Sequence, residues 1–339
     1  MNSKLNQRVT LKDIAKKTGF SVNTVSRALR EKDDISEATR ELIKTTAEEM
    51  GHINNMIASS LRSGYTNTIA VIFGDVSNLL FAMMMKEIEE AASHRGYTSI
   101  LLNTNEDEAQ ERQAIQVALS KNVDGIIICP TQKSTANIEY LKKSGKPFVL
   151  VGRRYEDPDV NYVVWDDELG GYQATKYLLS QGHKRILMLH GPMYISSAAE
   201  RLAGYIRAHE EFGLAAEPEL IWEVSVMANG CGRVLDEVRS RGITYTAIFA
   251  FSDMLAWDTW DYLRYQGYQI PEQCSIVGFD NIQTVLTLPF HMTSISSSEK
   301  KVSVVSAELL IDMIQNKKKE VAHIILPTVL VEGETVKQI

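Results

Sequence analysis

Apolar residues recur along most of the chain in short runs that alternate with amphipathic stretches. From residue 68 onward, runs rich in Val, Ile and Leu predict strands, and the segments between them have the three- and four-residue spacing of helices. The first series predicts strands at 68–73, 98–103, 124–129 and 147–151, with helices at 79–95, 107–121 and 135–144. Such alternation is typical of parallel sheets built from βαβ units.

A second series of the same kind follows. It predicts strands at 185–190, 220–225, 246–251 and 275–280, and helices at 168–181, 198–212, 229–241 and 253–267. A last helix is predicted at 299–316 and a last strand at 324–326. We therefore expect two doubly wound α/β lobes, with a ligand bound outside the carboxyl ends of the strands and between the lobes.

The N-terminal residues have a different pattern, which predicts three short helices. Thr10 and Ser21 are placed to cap the first two helices, and Gly19 supplies a left-handed turn residue between them. Ser36 is placed to cap the third helix. The pattern predicts a helix-turn-helix unit, whose second helix enters the major groove of DNA. A plain helical hairpin is the alternative.

The outward residues of the second helix are the candidates for reading DNA. Val22 suits a thymine methyl group, Asn23 suits an adenine edge, and Arg27 suits a guanine or a phosphate. The hydroxyls of three residues suit phosphate oxygens, namely Ser21, Thr24 and Ser26. Thr10, at the start of the first helix, is a further candidate contact. Each residue alone is equally consistent with an ordinary solvated surface position.

Charge divides the chain into the same two parts. Residues 1–64 carry 11 Lys or Arg against 8 Asp or Glu, whereas residues 65–339 carry 25 against 35. A net charge of +3 suits a headpiece that meets phosphate, and a net charge of −10 suits a body that does not. Because +3 is small for one headpiece, two copies side by side are favoured.

The sequence lacks the signals that mark several other classes of protein. No apolar run reaches the length of a membrane span, and the N-terminus lacks the apolar core of a secretory signal, so a cytoplasmic protein is expected. The cysteines are scattered, and the histidines are not at metal-binding spacing. We find no phosphate loop, dinucleotide fingerprint or nucleophile elbow, and expect neither a cofactor nor an enzyme. The alternatives are an extracytoplasmic solute-binding protein and an α/β enzyme with an N-terminal regulatory domain.

Between headpiece and body, the sequence predicts a short linker helix at 54–65. A helix of this length is marginal in water, so we expect it to order on DNA. Ala58 and Leu61 lie on one face, and a leucine displayed there suits a wedge between base steps of the minor groove. Asn55 is a further candidate contact. A linker helix packed on the body is the alternative.

Headpiece, linker and body together resemble the LacI/GalR family of bacterial transcription repressors. The matching motifs are VTLKDIA at 9–15, VSR at 25–27, SEATR at 36–40, ASSLRS at 58–63, GHKRI at 182–186, RLAGY at 201–205 and SIVGFD at 275–280. The resemblance implies a homodimer on a near-palindromic DNA operator. It also implies a core similar to periplasmic sugar-binding proteins, with a small-molecule effector between its lobes.

The same resemblance implies the domain boundaries. A helix-turn-helix headpiece is expected at 1–53, a hinge at 54–65 and the effector-binding core at 66–339. One lobe is expected at about 66–163 and 294–324, and the other at about 164–293 and 325–339, with crossovers near 163–165, 291–295 and 323–327. The chain shows no heptad tail of the kind that tetramerises some family members, so a dimer is expected.

The resemblance also implies effector contacts. Arg201 and Asp280 match an arginine and a carboxylate that bind effector, although a structural ion pair across the lobes is the alternative. Trp165 and Phe249 match positions where an apolar ring lines the pocket. The other candidates facing the cleft are Asp75, Asn78, Phe81, Arg153, Ser197 and Ser252. Guanidinium donors, carboxylate acceptors and a ring face suit a small polyol, such as a sugar or sugar derivative.

Three positions depart from the family's usual pattern. Gly152-Arg153 stands where the family often has Asp-Arg, and Ser252-Asp253 stands where it often has Asn-Asp. These two changes argue against a simple monosaccharide and leave open a larger or differently charged ligand. Asn54 stands where many members have proline, which raises the cost of ordering the hinge on DNA.

Overall fold

The structure is a computed structural model that describes residues 9–30, 32–52, 64–225, 230–285, 290–297, 300–316 and 320–339. The chain divides between Thr66 and Asn67 into a small N-terminal unit and a larger unit. The predicted hinge contacts Asn55, Ala58 and Leu61 lie outside the described residues. Within the described part, no helix is long and apolar enough to cross a membrane.

The N-terminal unit contains α1 Leu11–Thr18, α2 Val22–Ala28 and α3 Glu37–Glu49. Each helix contributes a fully buried aliphatic side chain to a shared core, namely Ile14, Val25 and Ile43. The core exists because apolar residues at helical spacing give each helix one buried face. The predicted helix-turn-helix is thereby confirmed.

The ends of these helices are set by local hydrogen bonds. The backbone N and the Oγ1 of Thr10 donate to the Asp13 carboxylate at 2.8 and 2.7 Å. Gly19 has φ 78° and ends α1 in the left-handed region. Ser21 caps α2 by accepting from the backbone N of Thr24 at 3.0 Å. The turn between α1 and α2 is therefore fixed by the residues that predicted it.

The larger unit begins with an alternating series of strands and helices. Its elements are β1 Thr68–Phe73, α4 Leu79–His94, β2 Thr98–Asn103, α5 Glu108–Ser120, β3 Gly125–Ile128, α6 Ala136–Ser144, β4 Phe148–Val151 and β5 Tyr162–Trp165. The second series contains α7 Asp167–Ser180, β6 Ile186–His190, α8 Ser196–Glu211, β7 Ile221–Glu223, α9 Cys231–Ser240, β8 Ala247–Ala250, α10 Asp253–Tyr265 and β9 Ser275–Phe279. The chain continues with β10 Thr293–Ser297, α11 Val302–Ile314, β11 His323–Leu326 and β12 Thr328–Val331.

Two six-stranded sheets result, one in each lobe. Their strand orders are β11-β5-β4-β3-β1-β2 and β12-β10-β9-β8-β6-β7. Among these strands, the neighbours are parallel except for β12, which is antiparallel to β10. Along β1, Ile69, Val71 and Phe73 enter one apolar cluster while Ala70 and Ile72 enter another, so both faces of the sheet are covered. The predicted pair of doubly wound lobes is confirmed.

The crossover strands end close to the approximate lobe boundaries that the sequence predicts near 163/164, 293/294 and 324/325. Trp165 still pairs with Leu326 in the first sheet, and β10 remains in the second sheet as far as Ser297, which pairs with Thr328. Trp165 and Leu326 lie within the crossovers expected near 163–165 and 323–327, and β10 extends two residues beyond the crossover expected near 291–295. Each crossover strand stays hydrogen-bonded to its last residue, because leaving the sheet earlier would bury unpaired backbone groups.

The helices α7 and α8 cross at two glycines. A Cβ on Gly171 would lie 2.2 Å from the carbonyl oxygen of Arg201, and a Cβ on Gly204 would lie 2.1 Å from that of Glu168. No side chain fits at either point, so glycine is what permits the close approach. The crossing brings Asp167, the first residue of α7, to the side chain of Arg201.

We predict that Gly204→Ala lowers the free energy of unfolding by about 1–3 kcal/mol, because the added methyl group overpacks this crossing. Urea unfolding followed by circular dichroism measures the effect. Ala203→Ser is the matched control, since it adds one heavy atom on the exposed side of the same helix. Equal stability of the two variants would contradict the close crossing.

Candidate functional site

A cleft runs between the two lobes of the larger unit. It contains about 610 Å³ of space, part of which is open to solvent. Nine of the ten residues predicted to contact an effector line it, namely Asp75, Asn78, Phe81, Arg153, Trp165, Ser197, Arg201, Ser252 and Asp280. These side chains come from both lobes, so the fold brings together residues that are far apart in the sequence.

The tenth predicted residue, Phe249, does not line the cleft. It lies inside β8 and is fully buried in the core of the second lobe. The prediction is wrong because the strand ends at Ala250, so a side chain must lie beyond that residue to reach the cleft. Phe251 does so, and its ring centre lies 4.6 Å from the guanidinium carbon of Arg201.

The wall formed by the second lobe is organised around Arg201. Its Nε donates to the Asp167 carboxylate at 2.8 Å, its Nη2 lies 3.8 Å from the Asp280 carboxylate, and its Nη1 donates to the backbone oxygen of Phe251. The ring of Phe279 lies under the guanidinium at 3.4 Å. All these partners belong to the second lobe, so Arg201 and Asp280 do not form an ion pair across the lobes.

Asp280 is held in a costly backbone conformation at the edge of the cleft. Its φ is 107°, which a residue with a Cβ rarely adopts. Its backbone N donates to the Ile295 oxygen at 2.8 Å. Burial raises the pKa of the Asp280 carboxyl well above its ordinary value, against the opposing charge of Arg201. Strain of this kind persists only where its surroundings impose it, and it clusters at functional sites.

Asp253 supplies part of that imposed geometry. This fully buried carboxylate accepts from Ser294 Oγ at 2.6 Å and from the backbone N of Ile282 at 2.9 Å. A Cβ on Gly278 would lie 2.1 Å from its Oδ1, so the glycine makes room for it. Burial raises the pKa of Asp253 to about 7. Asp253 therefore ties the loop that follows β9 to the crossover strand β10.

The wall formed by the first lobe contains a second buried ion pair, which the sequence did not predict. The two terminal nitrogens of Arg153 each donate to one oxygen of Glu106 at 2.8 Å. Arg153 also donates to the carbonyl oxygen of Pro130 at 2.9 Å. Two parallel bonds of this kind fix the orientation of both groups.

Polar contacts join the two lobes at the rim of the cleft. Gln132 of the first lobe donates to the Arg154 carbonyl oxygen at 2.7 Å and accepts from the backbone N of Ser196 at 2.9 Å. Arg154 pairs with Glu200 of α8 at 2.9 Å. Burial, with the nearby Asp167 charge, raises the pKa of Glu200 to about 7. The Gln132–Ser196 and Arg154–Glu200 contacts join the two lobes and must break when the lobes separate.

The candidate DNA-reading face lies on α2. Val22, Asn23 and Arg27 are exposed, whereas Val25 of the same helix is buried. Arg27 is already paired, because its Nε donates to the Asp34 carboxylate at 3.2 Å. Asp34 lies outside the helix, in the loop before α3, so helical spacing alone did not predict it.

The other candidate DNA contacts are partly engaged within the headpiece. The hydroxyls of Ser21 and Thr24 are hydrogen-bonded to each other at 2.8 Å, and the Thr10 hydroxyl donates to Asp13. Ser26 is half-buried. Thr10, and whichever of Ser21 and Thr24 donates in their mutual bond, must reorient its hydroxyl proton to contact a phosphate.

In the described part of the chain, no group of three or more His, Cys, Asp or Glu residues is placed to hold a metal ion. The cysteines Cys129, Cys231 and Cys274 are buried and free. Burial raises the pKa of Cys129, which lines the cleft, to about 12. A thiol of that kind is inert at neutral pH.

A helix-turn-helix headpiece followed by a two-lobed cleft defines a DNA-binding transcriptional regulator with a ligand-binding core. Residues 10–55 match the family model for bacterial regulatory proteins of the lacI family. Residues 66–334 match the model for periplasmic binding proteins and the sugar binding domain of the LacI family. The chain belongs to the LacI family, and the predicted family is confirmed.

Known relatives are similar in sequence to this chain over nearly its whole length. The HTH-type transcriptional repressor PurR of Vibrio atlanticus is 29% identical over 329 residues, which cover 97% of this chain and 98% of the relative. The regulator GalR of Escherichia coli K12 is 29% identical, covering 95% and 94%. These relatives are transcriptional regulators rather than enzymes, and neither of the alternative classes is favoured.

Solved structures share the fold. A complex of the transcriptional regulator CelR with cellobiose has a TM-score of 0.73 at 27% identity, covering 97% of this chain and 100% of that one. The Lac repressor dimer bound to operator and the anti-inducer ONPF has a TM-score of 0.84 at 22% identity, covering 98% and 100%. The chain therefore shares its fold with both structures.

We predict that Glu200 makes stability fall as pH rises. Its folded pKa of about 7 exceeds its ordinary value of 4.5, so the stabilisation is fully present below pH 4.5 and is lost as pH rises towards 7. Across that range, the free energy of unfolding of the wild type should fall by about 1–3 kcal/mol relative to Glu200→Gln.

Urea unfolding at several pH values between 4.5 and 7 measures this difference. Glu210→Gln removes an exposed carboxylate from the same helix and should follow the wild-type profile. If the free energies of unfolding of the wild type and Glu200→Gln change with pH in parallel, burial at the rim does not raise the pKa of Glu200.

Proposed function

We propose that this regulator is a repressor that binds operator DNA as a homodimer and is controlled by a small polyol, such as a sugar or sugar derivative, bound between its lobes. The observation that carries the proposal is the strained, buried Asp280 beside the Arg201 guanidinium, inside a cleft lined by aromatic rings. We further propose that the protein acts in the cytoplasm, without enzymatic activity and without a cofactor.

The cleft suits a ligand with both hydroxyls and C–H faces. Arg201 and Asp280 offer a donor and an acceptor at one wall. The Trp165 ring offers a flat apolar face, and its Nε1 donates to Ser297 Oγ at 2.5 Å, which fixes its orientation. Hydroxyls that bridge charged groups while a ring covers C–H bonds are the usual arrangement for a polyol.

Two relatives support the ligand class. The CelR structure contains cellobiose, and a LacI-family regulator from Enterococcus faecium, 28% identical, contains ribose. Trp165 and Asp280 line both the cleft and an adjoining cavity.

The headpiece suits one half-site of a duplex. We assign α2 to the major groove, with Val22, Asn23 and Arg27 at base edges or phosphates. A net charge of +3 over residues 1–64 is small for one site, which favours two headpieces on a near-palindromic operator. Minor-groove contacts by Asn55, Ala58 and Leu61 remain predictions from the sequence.

Control then follows from the two lobes. A ligand that bridges both walls favours the arrangement in which they are close, and it shifts the equilibrium only by its difference in affinity for the two arrangements. Coupling energies of about 1–3 kcal/mol change DNA affinity roughly 5–150-fold. The sign of the change distinguishes an inducer from a corepressor.

The test is selection of bound fragments from sheared genomic DNA, followed by gel shift with and without cellobiose, ribose, glucose and galactose. We expect specific retention at moderate salt and a change in affinity with at least one sugar. Retention no better than that of random competitor DNA, with every sugar and without any, would rule out the proposal.

In the same assay, Arg27→Ala should weaken binding of the selected fragment by about 1–3 kcal/mol relative to binding of random DNA, if Arg27 reads a base. Lys143→Ala, which removes an exposed charge from the core, is the control and should bind like the wild type. An equal loss on all sequences would reassign Arg27 to a phosphate.

A further inference from the structure

The guanidiniums at the cleft are already matched by carboxylates of the chain. Of the described residues that line it, two are cationic, Arg153 and Arg201. Arg153 is bound through both terminal nitrogens to Glu106, and Arg201 is bound to Asp167. An anionic ligand therefore finds no cation that lacks a partner in this part of the structure.

Carboxylates outnumber guanidiniums around the same space. Asp75, Glu106 and Asp280 line the cleft, and Asp167 lies directly behind Arg201. Burial raises the pKa of Asp280 well above its ordinary value, which favours its neutral form. Even with Asp280 neutral, each guanidinium keeps one carboxylate of its own. The local charge therefore favours an uncharged ligand over a phosphate or carboxylate.

The position of Glu106 is built into the backbone. Asn105 and Glu106 both have left-handed backbone angles, φ 51° and 52°, and Glu106 N donates to the Gly74 oxygen at 3.1 Å. A Cβ on Gly74 would lie 2.1 Å from Glu106 Oε1. The carboxylate therefore reaches Arg153 across a space that only a glycine at position 74 leaves open.

Position 152 supplies no acceptor to this wall. Gly152 has φ 71°, and a Cβ there would lie 3.2 Å from the Trp165 ring. Glu106 is thus the carboxylate that faces the ligand beside Arg153. Its two oxygens each accept one bond from Arg153, which leaves each oxygen a lone pair for a ligand.

Those lone pairs distinguish two kinds of ligand. A sugar hydroxyl has a proton to donate to Glu106. A phosphate ester at neutral pH carries about −1.5 to −2 charges and offers mainly acceptor oxygens, so it meets the carboxylate as a like charge. The same position therefore accepts a hydroxyl and repels a phosphate.

We propose that the cleft selects an uncharged polyol and excludes phosphorylated or carboxylated ligands, and that Glu106 is the residue that sets this selectivity. The proposal rests on the proposed function of the cleft as the effector site. It goes further by stating the charge of the effector and the side chain that reads it.

The test uses the full chain and two anionic probes, inorganic phosphate and glucose 6-phosphate, with glucose and cellobiose as uncharged counterparts. Melting temperature against probe concentration reports binding by mass action. The wild type should show no saturable response to either anion. Glu106→Gln, which leaves Arg153 without its carboxylate, should gain at least about tenfold in affinity for an anion.

Two further variants separate selectivity from a folding defect. Gly74→Ala keeps every charge but displaces Glu106 from Arg153, so it should gain anion binding as Glu106→Gln does. Glu108→Gln removes a carboxylate from the first turn of α5, outside the cleft lining, and it sets the baseline for the general stabilisation that phosphate gives proteins. A destabilised variant remains informative, because a bound anion should restore its melting temperature.

Two results would overturn the proposal. One is a saturable response of the wild type to glucose 6-phosphate that equals the response of Glu106→Gln. The other is the absence of any gain over Glu108→Gln in both variants. These readouts involve no DNA, so they are separate from a failure of the proposed control of operator binding.

Discussion

A guanidinium does not lose its proton in a protein interior, so the burial of Arg201 dictates what surrounds it. Its charge requires the carboxylate of Asp167, which sits beside it only because α7 and α8 touch at Gly171 and Gly204. The Phe279 ring covers the other face of the guanidinium. Removing either Arg201 or Asp167 would leave the charge of the other buried and uncompensated. The packing of α7 on α8 therefore also positions the charged groups of the cleft.

The same constraint reaches the loop after β9. The Asp280 carboxylate lies near Nη2 of Arg201. Asp253 and its hydrogen-bond partners impose the unusual backbone conformation of Asp280. Asp253 also binds Ser294, on the strand that leads towards the other lobe. The groups that face a ligand are therefore connected by direct hydrogen bonds to a crossover between the lobes, which is where a change in the cleft can alter the lobe arrangement.

Much of the fold follows from residue pattern, and the exceptions have physical causes. Strands such as β1 are continuous apolar runs buried on both faces, and their limits are visible in the sequence. Strand β10, TSISS, has one apolar residue and is held by pairing with its neighbours, so periodicity does not reveal it. Phe249 lies inside β8 and is buried in the core, whereas Phe251 lies just beyond the end of β8 and lines the cleft. The residue pattern alone does not show where this strand ends.

The candidate site divides in the same way. Arg201 and Asp280 stand in motifs that carry the family resemblance, Trp165 matches a family position outside them, and all three line the cleft. Glu106 and Asp167 were missed because their roles depend on partners far along the chain, 47 and 34 residues away. Their carboxylates become meaningful only once Gly74 and the α7–α8 crossing are known in three dimensions.

The central claim is that the cleft and the headpiece are coupled. Coupling is reciprocal, so a sugar that changes the affinity for selected DNA by some factor must have its own affinity changed by the same factor when DNA is bound. Isothermal titration of the most stabilising uncharged sugar into the protein, free and saturated with selected DNA, measures this directly. We expect matching factors of roughly 5–150 in the two titrations. A sugar that binds the cleft with the same affinity whether or not DNA is bound would contradict the account.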